Sequence, residues 1–241
     1  MPIIDSHCHI GAGTRKSVTA DELLRAMDDA GVARAVVCSV DQFIAVRNRE
    51  GNDDVLRAVH AQPERLRGLA AVNPWFGSEG VDELKRSLDA GMCGLKLNSH
   101  LQGFVLSDPI VHPLVEVCRD YRAPLYAHTG TPITAEPFQL AELARTFPEV
   151  TMVMGHMGYT DFWYDATPAA LQSDNIYLET SLIDIMNIQT AIEKVGAHRI
   201  LFGSDFPESD LSLELEKISM LEMSDDDRNR ILGTNALEVW G

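Results

Sequence analysis

Residues 3–9 read Ile3-Ile4-Asp5-Ser6-His7-Cys8-His9, and this stretch decides the fold that the rest of the chain predicts. The two isoleucines indicate the start of a buried strand, in which side chains alternate between the two faces. His7 and His9 therefore point to the same side, about 6–7 Å apart along the strand, whereas Cys8 points to the other. Two imidazoles at this spacing can reach one metal ion, because metal–nitrogen bonds are about 2.0–2.1 Å long. If they bind one, later segments have to supply the other ligands.

Seven further short apolar runs follow, and helical patterns separate them. The predicted strands are Ala35–Val40, Leu66–Val72, Cys93–Leu97, Pro124–His128, Val150–Gly155, Asn175–Glu179 and Ile200–Gly203. Eight buried strands that alternate with helices predict a parallel sheet, and eight is the number that closes a (β/α)8 barrel. A doubly wound open sheet is the alternative, but it would need a glycine-rich phosphate turn after the first strand, which is absent. We therefore predict an α/β protein with one TIM-barrel domain over residues 1–241.

Length and charge limit the partners that this chain can have. The 241 residues carry a net charge of −16, from 20 basic and 36 acidic side chains. Nucleic acids and anionic membranes need a basic surface, so neither is expected as a partner, and no apolar run is long enough to span a bilayer. The first strand leaves no room for a cleaved signal peptide, and the four cysteines form no CxxC pair. We expect a cytoplasmic protein with reduced thiols.

Polar residues collect at the carboxyl ends of the predicted strands. They are His7, His9, Lys96, His128, His156, Thr180 and Asp205. In a barrel these ends meet at one mouth, where enzymes of this fold carry out their chemistry. A single histidine there is more often a loop anchor than a ligand, but an HxH pair, two more histidines and an aspartate together predict a metal site. The buried ammonium of Lys96 needs a partner, which indicates that it belongs to the same site.

Seven short motifs, in chain order, resemble those of a known family. They are Asp-x-His-x-His, Gly-Leu-Lys-Leu, Ala-His-Thr-Gly, Gly-His-Met-Gly, Glu-Thr-Ser, Leu-Phe-Gly-Ser-Asp-Phe-Pro and Gly-Thr-Asn-Ala. From Ile4 to about Leu237 the chain resembles the amidohydrolase superfamily. Within that superfamily it is most similar to the amidohydrolase-related branch, which includes aminocarboxymuconate-semialdehyde-type decarboxylases. This resemblance implies a distorted (β/α)8 barrel, of the type found in metal-dependent hydrolases, with one divalent metal ion.

The resemblance also implies roles for single residues. The metal, usually zinc in this family, would be held by His7, His9, His128 and Asp205, and His156 would lie beside it. Asp205 would accept a proton from a metal-activated water, and His156 would polarise the attacked carbonyl or hold the oxyanion. Lys96 would bind a carboxylate or carbonyl of the substrate. Manganese, and a two-metal site bridged by a carboxylated Lys96, are less favoured alternatives.

From these residues we expect a metal-dependent hydrolase that acts on a C–N or C–O bond of a small carbonyl or carboxylate compound, such as an amide, a cyclic amide or a lactone. A non-oxidative decarboxylase or hydratase is the alternative, since the ligand set does not separate these reactions. A non-catalytic metal-binding scaffold is a third class, and a phosphodiester nuclease is disfavoured by the acidic charge. Whether the chain forms a homo-oligomer stays open.

The sequence indicates least clearly which residues form the walls of the substrate pocket. Family members often follow the strand-four lysine with a histidine-proline pair, whereas here Leu97-Asn98-Ser99 follows, so the substrate contacts of that loop cannot be inferred. Weaker candidates for the pocket walls lie after strands two, three and six. They are Arg47, Arg49, Trp75, Tyr159, Phe162 and Trp163.

Overall fold

The computed structural model describes residues 1–241, and its central element is a sheet of eight parallel strands. In chain order, β1 to β8 are Ile3–His9, Val32–Cys38, Leu66–Ala71, Gly94–Leu97, Leu125–His128, Met152–Gly155, Ile176–Glu179 and Ile200–Leu201. Each strand pairs in parallel with the next one along the chain, so the order of strands in the sheet is their order in the sequence. This order is that of a TIM barrel, so the predicted fold class is confirmed.

Backbone hydrogen bonds between the two ends of the sheet bring residues 202–206 alongside β1. The amide of Ser6 donates to the carbonyl of Phe202 at 2.9 Å, and the amide of His9 donates to the carbonyl of Phe206 at 2.8 Å. Between them, the amide of Asp205 donates to the carbonyl of His7 at 2.8 Å. This seam completes the circle of strands and places Asp205 beside the HxH pair.

Helices lie between the strands and cover the outside of the barrel. In chain order, α1 to α12 are Ala20–Ala30, Asp41–Ala45, Asn48–Ala61, Gly77–Asp89, Ser99–Gln102, His112–Tyr121, Pro137–Thr146, Trp163–Ala170, Ile185–Val195, Leu211–Ser219, Asp225–Asn229 and Asn235–Trp240. Local sequence sets their ends. Thr19 and Glu22, for example, form a capping box at the start of α1, and Gly31 ends that helix at a φ of 72°. None of the helices combines the length and the apolar character that a membrane crossing requires.

Side chains point alternately to the two faces of the strands, both of which are buried, and this divides the core into two layers. On β5, Leu125 and Ala127 pack into a cluster of 51 buried residues between the sheet and the helices, whereas Tyr126 belongs to a separate cluster of 11. Since successive strand residues face opposite sides, the smaller cluster fills the inside of the barrel. Leu95 and Leu97 of β4 face the helices in the same way, and Lys96 therefore faces inward.

Candidate active site

The predicted site residues lie together at the mouth formed by the carboxyl ends of the strands. A cavity of about 360 Å³ opens there, and its lining includes His7, His9, Lys96, His128, His156 and Asp205. A larger groove of about 600 Å³, lined by Arg49 and Glu83 among others, lies on the outside near α3 and α4. None of the predicted site residues lines that groove, so the cavity at the mouth of the barrel is the candidate active site.

Asp205 makes the closest approach to the HxH pair. Its Oδ1 atom lies 3.2 Å from Nε2 of His7 and 3.0 Å from Nε2 of His9. This buried oxygen makes no hydrogen bond of acceptable geometry. Nδ1 of His9 is 2.6 Å from the carbonyl of Ser39, to which it donates, so Nε2 is the nitrogen that faces the site. A buried carboxylate oxygen without a donor, next to two imidazole nitrogens, fits a divalent cation.

The two further histidines at the mouth differ in their distance from this centre. The ligand atoms of His7, His156 and Asp205 lie within 4.8 Å of one another. His128 does not belong to that group of three: its Nε2 is 3.2 Å from Oγ1 of Thr131, and its ring centroid is 4.8 Å from that of His156. The structure thus brings all four histidines to one mouth, and the roles assigned to them, including metal binding by His128, stay predictions.

The two residues predicted to be catalytic both have an unusual backbone conformation. His156 has a φ of 64° and Asp205 a φ of 57°, in the left-handed region that residues other than glycine rarely adopt. Each follows directly on a barrel strand or its extension. Such conformations persist where the surrounding structure enforces them, and they are concentrated at functional sites. Here they turn both side chains inward at the point where the strands end.

Lys96 points into the barrel and is only 1% exposed. Its Nζ lies 3.1 Å from Nε2 of His7 and 4.0 Å from the centroid of the Tyr126 ring, on which the ammonium rests. Burial lowers the pKa of Lys96, against the opposing influence of Cys38 and Asp205. The side chain is therefore at the predicted site, with no carboxylate of the chain in direct contact with it.

Burial sets the protonation of most of the mouth. It lowers the pKa of His7 and of His128 well below the usual range, and that of His156 to about 3, so these imidazoles are neutral. Burial also lowers the pKa of His9, but Cys38 and Asp205 outweigh it and raise the value to about 9. Burial alone would raise the pKa of Asp205, whereas the imidazoles around it hold that pKa well below its usual range. Neutral imidazoles and an ionised carboxylate are the forms that bind metals, so His9 would release a proton on binding one.

A buried carboxylate that the sequence had not singled out lies behind His156. Oε2 of Glu179 accepts hydrogen bonds from the Tyr126 hydroxyl (2.6 Å), the Ser181 hydroxyl (2.9 Å) and the His156 amide (3.2 Å), and Oε1 accepts one from the Ser181 amide (2.7 Å). The prediction had chosen Thr180 instead. Glu179 is the last residue of β7 and Ser181 lies two positions beyond it, and both contact His156, whereas no hydrogen bond joins the side chain of Thr180 to His156.

The outer rim of the cavity is formed by a short hairpin and by loops. Strand segments Gly11–Ala12 and Ser17–Val18 form the hairpin, and Oδ2 of Asp41 accepts hydrogen bonds from the amides of its residues Arg15 (2.6 Å) and Lys16 (2.9 Å). Of the weaker pocket candidates, only Tyr159 lines the cavity. The other five do not line it and are wrong as walls. They are Arg47, Arg49, Trp75, Phe162 and Trp163.

Comparison with known proteins identifies the family. The family model described as "Amidohydrolase" matches residues 4–241. The chain belongs to the amidohydrolase family. Among curated relatives of this amidohydrolase, a gamma-resorcylate decarboxylase from a Polaromonas species is 23% identical over an alignment of 282 positions, gaps included, which spans 91% of this chain and 86% of the relative. The 2-amino-3-carboxymuconate-6-semialdehyde decarboxylase of Dictyostelium discoideum is 21% identical over an alignment of 233 positions, which spans 79% of this chain and 65% of the relative.

Solved structures agree with this placement. The amidohydrolase superimposes on the 5-carboxyvanillate decarboxylase of Novosphingobium aromaticivorans, solved with manganese and 4-hydroxy-3-methoxy-5-nitrobenzoic acid, with a TM-score of 0.81. The two are 16% identical, and the match covers 99% of this chain and 96% of the other. At this identity the likeness establishes the fold, and with the curated relatives it confirms the predicted branch of the family.

These relatives also correct the predicted reaction. The expected hydrolase activity is wrong, because the relatives are decarboxylases, enzymes that break a C–C bond without water. A metal ion beside an acid–base carboxylate and a neutral histidine serves either reaction, so the ligand set could not separate them. The preference for zinc is not confirmed either, since manganese is the ion in the Novosphingobium structure.

Proposed function

We propose that this amidohydrolase is a metal-dependent, non-oxidative decarboxylase of a small carboxylate, with either one aromatic ring or a short unsaturated chain. The observation that carries the proposal is the inward-facing ammonium of Lys96, 3.1 Å from Nε2 of His7, inside a cavity of about 360 Å³. A buried cation without a carboxylate partner beside a metal-binding centre is suited to hold an anionic substrate. The decarboxylase relatives support the same reaction class.

The donor set fits one divalent cation. His7, His9, His128 and Asp205 would hold it, and when bound it would polarise a substrate oxygen and so stabilise the electron pair that the departing CO2 leaves behind. We propose manganese or zinc, because imidazole and carboxylate ligands suit both ions. Lys96 and the imidazoles line the same cavity, so a substrate bound there would be desolvated on several sides.

Residues of the chain carry out substrate binding and proton transfer. Lys96 binds the substrate carboxylate and orients the C–C bond that breaks. Decarboxylation leaves an electron pair on carbon, and a proton has to arrive there. Asp205 is ionised and sits at the centre, so it takes a proton from a substrate hydroxyl or a water and returns it to that carbon as CO2 leaves. His156 contacts the substrate from the other side of the mouth.

The test is release of CO2 from a panel of acids. Purified protein, loaded with manganese or with zinc, is incubated with γ-resorcylate, 5-carboxyvanillate and 2-amino-3-carboxymuconate semialdehyde, and CO2 is measured directly. We expect release from at least one acid, with loss of release after chelation and in Lys96→Met. Lys85→Met, which removes an exposed lysine of α4, is the matched control and should keep full activity. No CO2 from any acid by protein with full metal occupancy would contradict the proposal.

A further inference from the structure

The two ring nitrogens of His156 have different surroundings. Nδ1 lies 2.7 Å from Oγ of Ser181, whereas Nε2 makes no hydrogen bond within the protein and belongs to a ring that lines the cavity. A neutral imidazole carries one hydrogen, so one nitrogen donates and the other offers a lone pair. Nε2 faces the cavity, and whether it accepts or donates there depends on the direction of the hydrogen bond between Nδ1 and Ser181.

Glu179 determines which way the hydrogen bond between Ser181 and His156 runs. The hydroxyl of Ser181 lies 2.9 Å from Oε2 of Glu179. Burial raises the pKa of Glu179 to about 7, so above that pH the carboxylate is ionised and can only accept. The single hydrogen of the Ser181 hydroxyl is therefore committed to Glu179. Toward His156 the same oxygen can only accept, so Nδ1 must carry the hydrogen and donate it. The other three contacts of Glu179 also come from donors: the Tyr126 hydroxyl and the amides of His156 and Ser181.

Two glycines near the strand ends leave room for this buried hydrogen-bond network. A Cβ atom at Gly203 would lie 2.1 Å from Oε1 of Glu179, and a Cβ atom at Gly155 would lie 2.4 Å from the Tyr126 hydroxyl. Any side chain at either position would displace the carboxylate or the phenol. Glu179, Tyr126 and Ser181 are each at most 1% exposed, so water does not compete for their hydrogen bonds. A fully satisfied buried network of this kind holds one arrangement.

We infer that Glu179 and Ser181 are positioning residues that hold His156 with its hydrogen on Nδ1, so that Nε2 presents a lone pair to the substrate. An acceptor at that point favours a carboxylate whose neighbouring carbon carries an O–H or N–H group, and it disfavours the same acid with an ether there. The statement about the substrate rests on the proposed function. The statement about the hydrogen on His156 does not.

The imidazole nitrogens can be observed directly by NMR. Uniformly ¹⁵N-labelled protein, loaded with diamagnetic zinc at pH 8.5, gives long-range ¹H–¹⁵N correlations, and the His156→Gln variant assigns the signals of His156. We expect Nδ1 to resonate as a protonated nitrogen and Nε2 as an unprotonated one. In Glu179→Gln an NH2 group in the place of Oε2 would donate to the Ser181 hydroxyl, which then donates to Nδ1, so part of the hydrogen should move to Nε2. Ser181→Ala should give a mixture of both forms.

Ser87→Ala is the matched control. Its hydroxyl is also buried and also lies near a glutamate, 3.2 Å from Oε1 of Glu83, but it is on α4, away from the mouth. The His156 signals should be unchanged in that variant. A hydrogen on Nε2 in the unmodified protein would overturn the inference. Should Glu179→Gln fail to fold, the spectra of the unmodified protein and of Ser181→Ala decide the question alone.

Kinetics then test the consequence for the substrate. With γ-resorcylate as the probe, Glu179→Gln and Ser181→Ala should lower kcat more than they raise KM. Unmodified protein should prefer γ-resorcylate over 2,6-dimethoxybenzoate by about tenfold or more, and Glu179→Gln should lose much of that preference. An unchanged preference would contradict the role in substrate selection. The expected NMR result without CO2 from any acid would instead contradict only the proposed function.

Discussion

The ammonium nitrogen of Lys96 lies 3.1 Å from Nε2 of His7, the atom that also faces Oδ1 of Asp205 at 3.2 Å. The Lys96 ammonium and a metal ion would therefore compete for the same lone pair, that of Nε2 of His7. Two positive charges this close repel each other, and the repulsion is large in a buried site. Lys96 would therefore weaken metal binding. A role in binding the substrate carboxylate explains why a lysine lies beside this site.

Replacing Lys96 with methionine separates these two effects. Lys96→Met should bind the metal at least as tightly as the unmodified protein, because the repulsion is gone. Its kcat/KM should fall by about 10²-fold or more, the loss expected when a buried charged partner of an anion is removed. Metal titration and CO2 release measure the two quantities. If Lys96 were carboxylated and bridged two ions, the variant would instead lose one of two bound metals, and an anomalous-scattering map of the unmodified protein would contain two peaks.

His7 is expected to be required for metal binding and not for the fold. His7→Ala should lose the metal and the activity while its far-ultraviolet circular dichroism stays the same, because its imidazole makes no hydrogen bond that joins elements outside the mouth. His198→Ala, which removes an exposed histidine ahead of β8, is the control and should keep both. Stoichiometric metal in purified His7→Ala would refute the assignment of His7 as a ligand.

Asp205 combines a predicted ligand role with a predicted proton-transfer role. Asp205→Asn keeps an oxygen that can bind a metal but cannot exchange a proton near neutral pH. We expect much of the metal to remain and kcat to fall by about 10²- to 10⁴-fold, the usual contribution of a general acid or base. Metal content and CO2 release on the same sample are the measurements. Undiminished turnover would remove Asp205 from the proton-transfer step.

Glu179 should make the stability depend on pH in a specific direction. Burial raises its pKa from 4.5 to about 7, so the folded state prefers the neutral form. The stability that this preference contributes is fully present below pH 4.5 and is lost as the pH rises through 7. Relative to Glu179→Gln, the free energy of unfolding of the unmodified protein should fall between pH 4 and pH 8 by on the order of 3 kcal/mol, at about 1.4 kcal/mol per pKa unit.

Urea unfolding of both proteins across this pH range, with the same metal supplement, measures that difference. Glu142→Gln, at an exposed position of α7, is the control and should show no such trend. A difference that grows in the opposite direction, or that is flat, would contradict a raised pKa for Glu179 in the folded protein.

The barrel could be predicted from the sequence because its strands are buried on both faces and read as short apolar runs. The boundaries were less certain. The second strand begins at Val32 and not at Ala35, since the apolar run alone does not show where pairing with β1 starts. Strand ends were predicted better than strand starts, because polar residues such as His128 mark the point where the chain reaches the mouth.

The support around the site was harder to predict. Glu179 belongs to an apolar strand and Ser181 to a common motif, and neither residue type signals a hydrogen bond to a histidine 23 or 25 positions earlier. Counting alternate positions back from the strand end would have favoured the Glu179 and Ser181 pair over Thr180. The reaction itself could not be predicted, because it depends on what the substrate offers the metal and not on the ligands.

The seam between β1 and residues 202–206 has a consequence for how the protein is made. His7 and Asp205 are 198 positions apart in the sequence, so the ribosome must translate that whole interval before their side chains can meet. A nascent chain that stops before Asp205 cannot assemble this centre, and an ion held by both residues would join segments that are made far apart in time. Metal capture would then follow closure of the barrel.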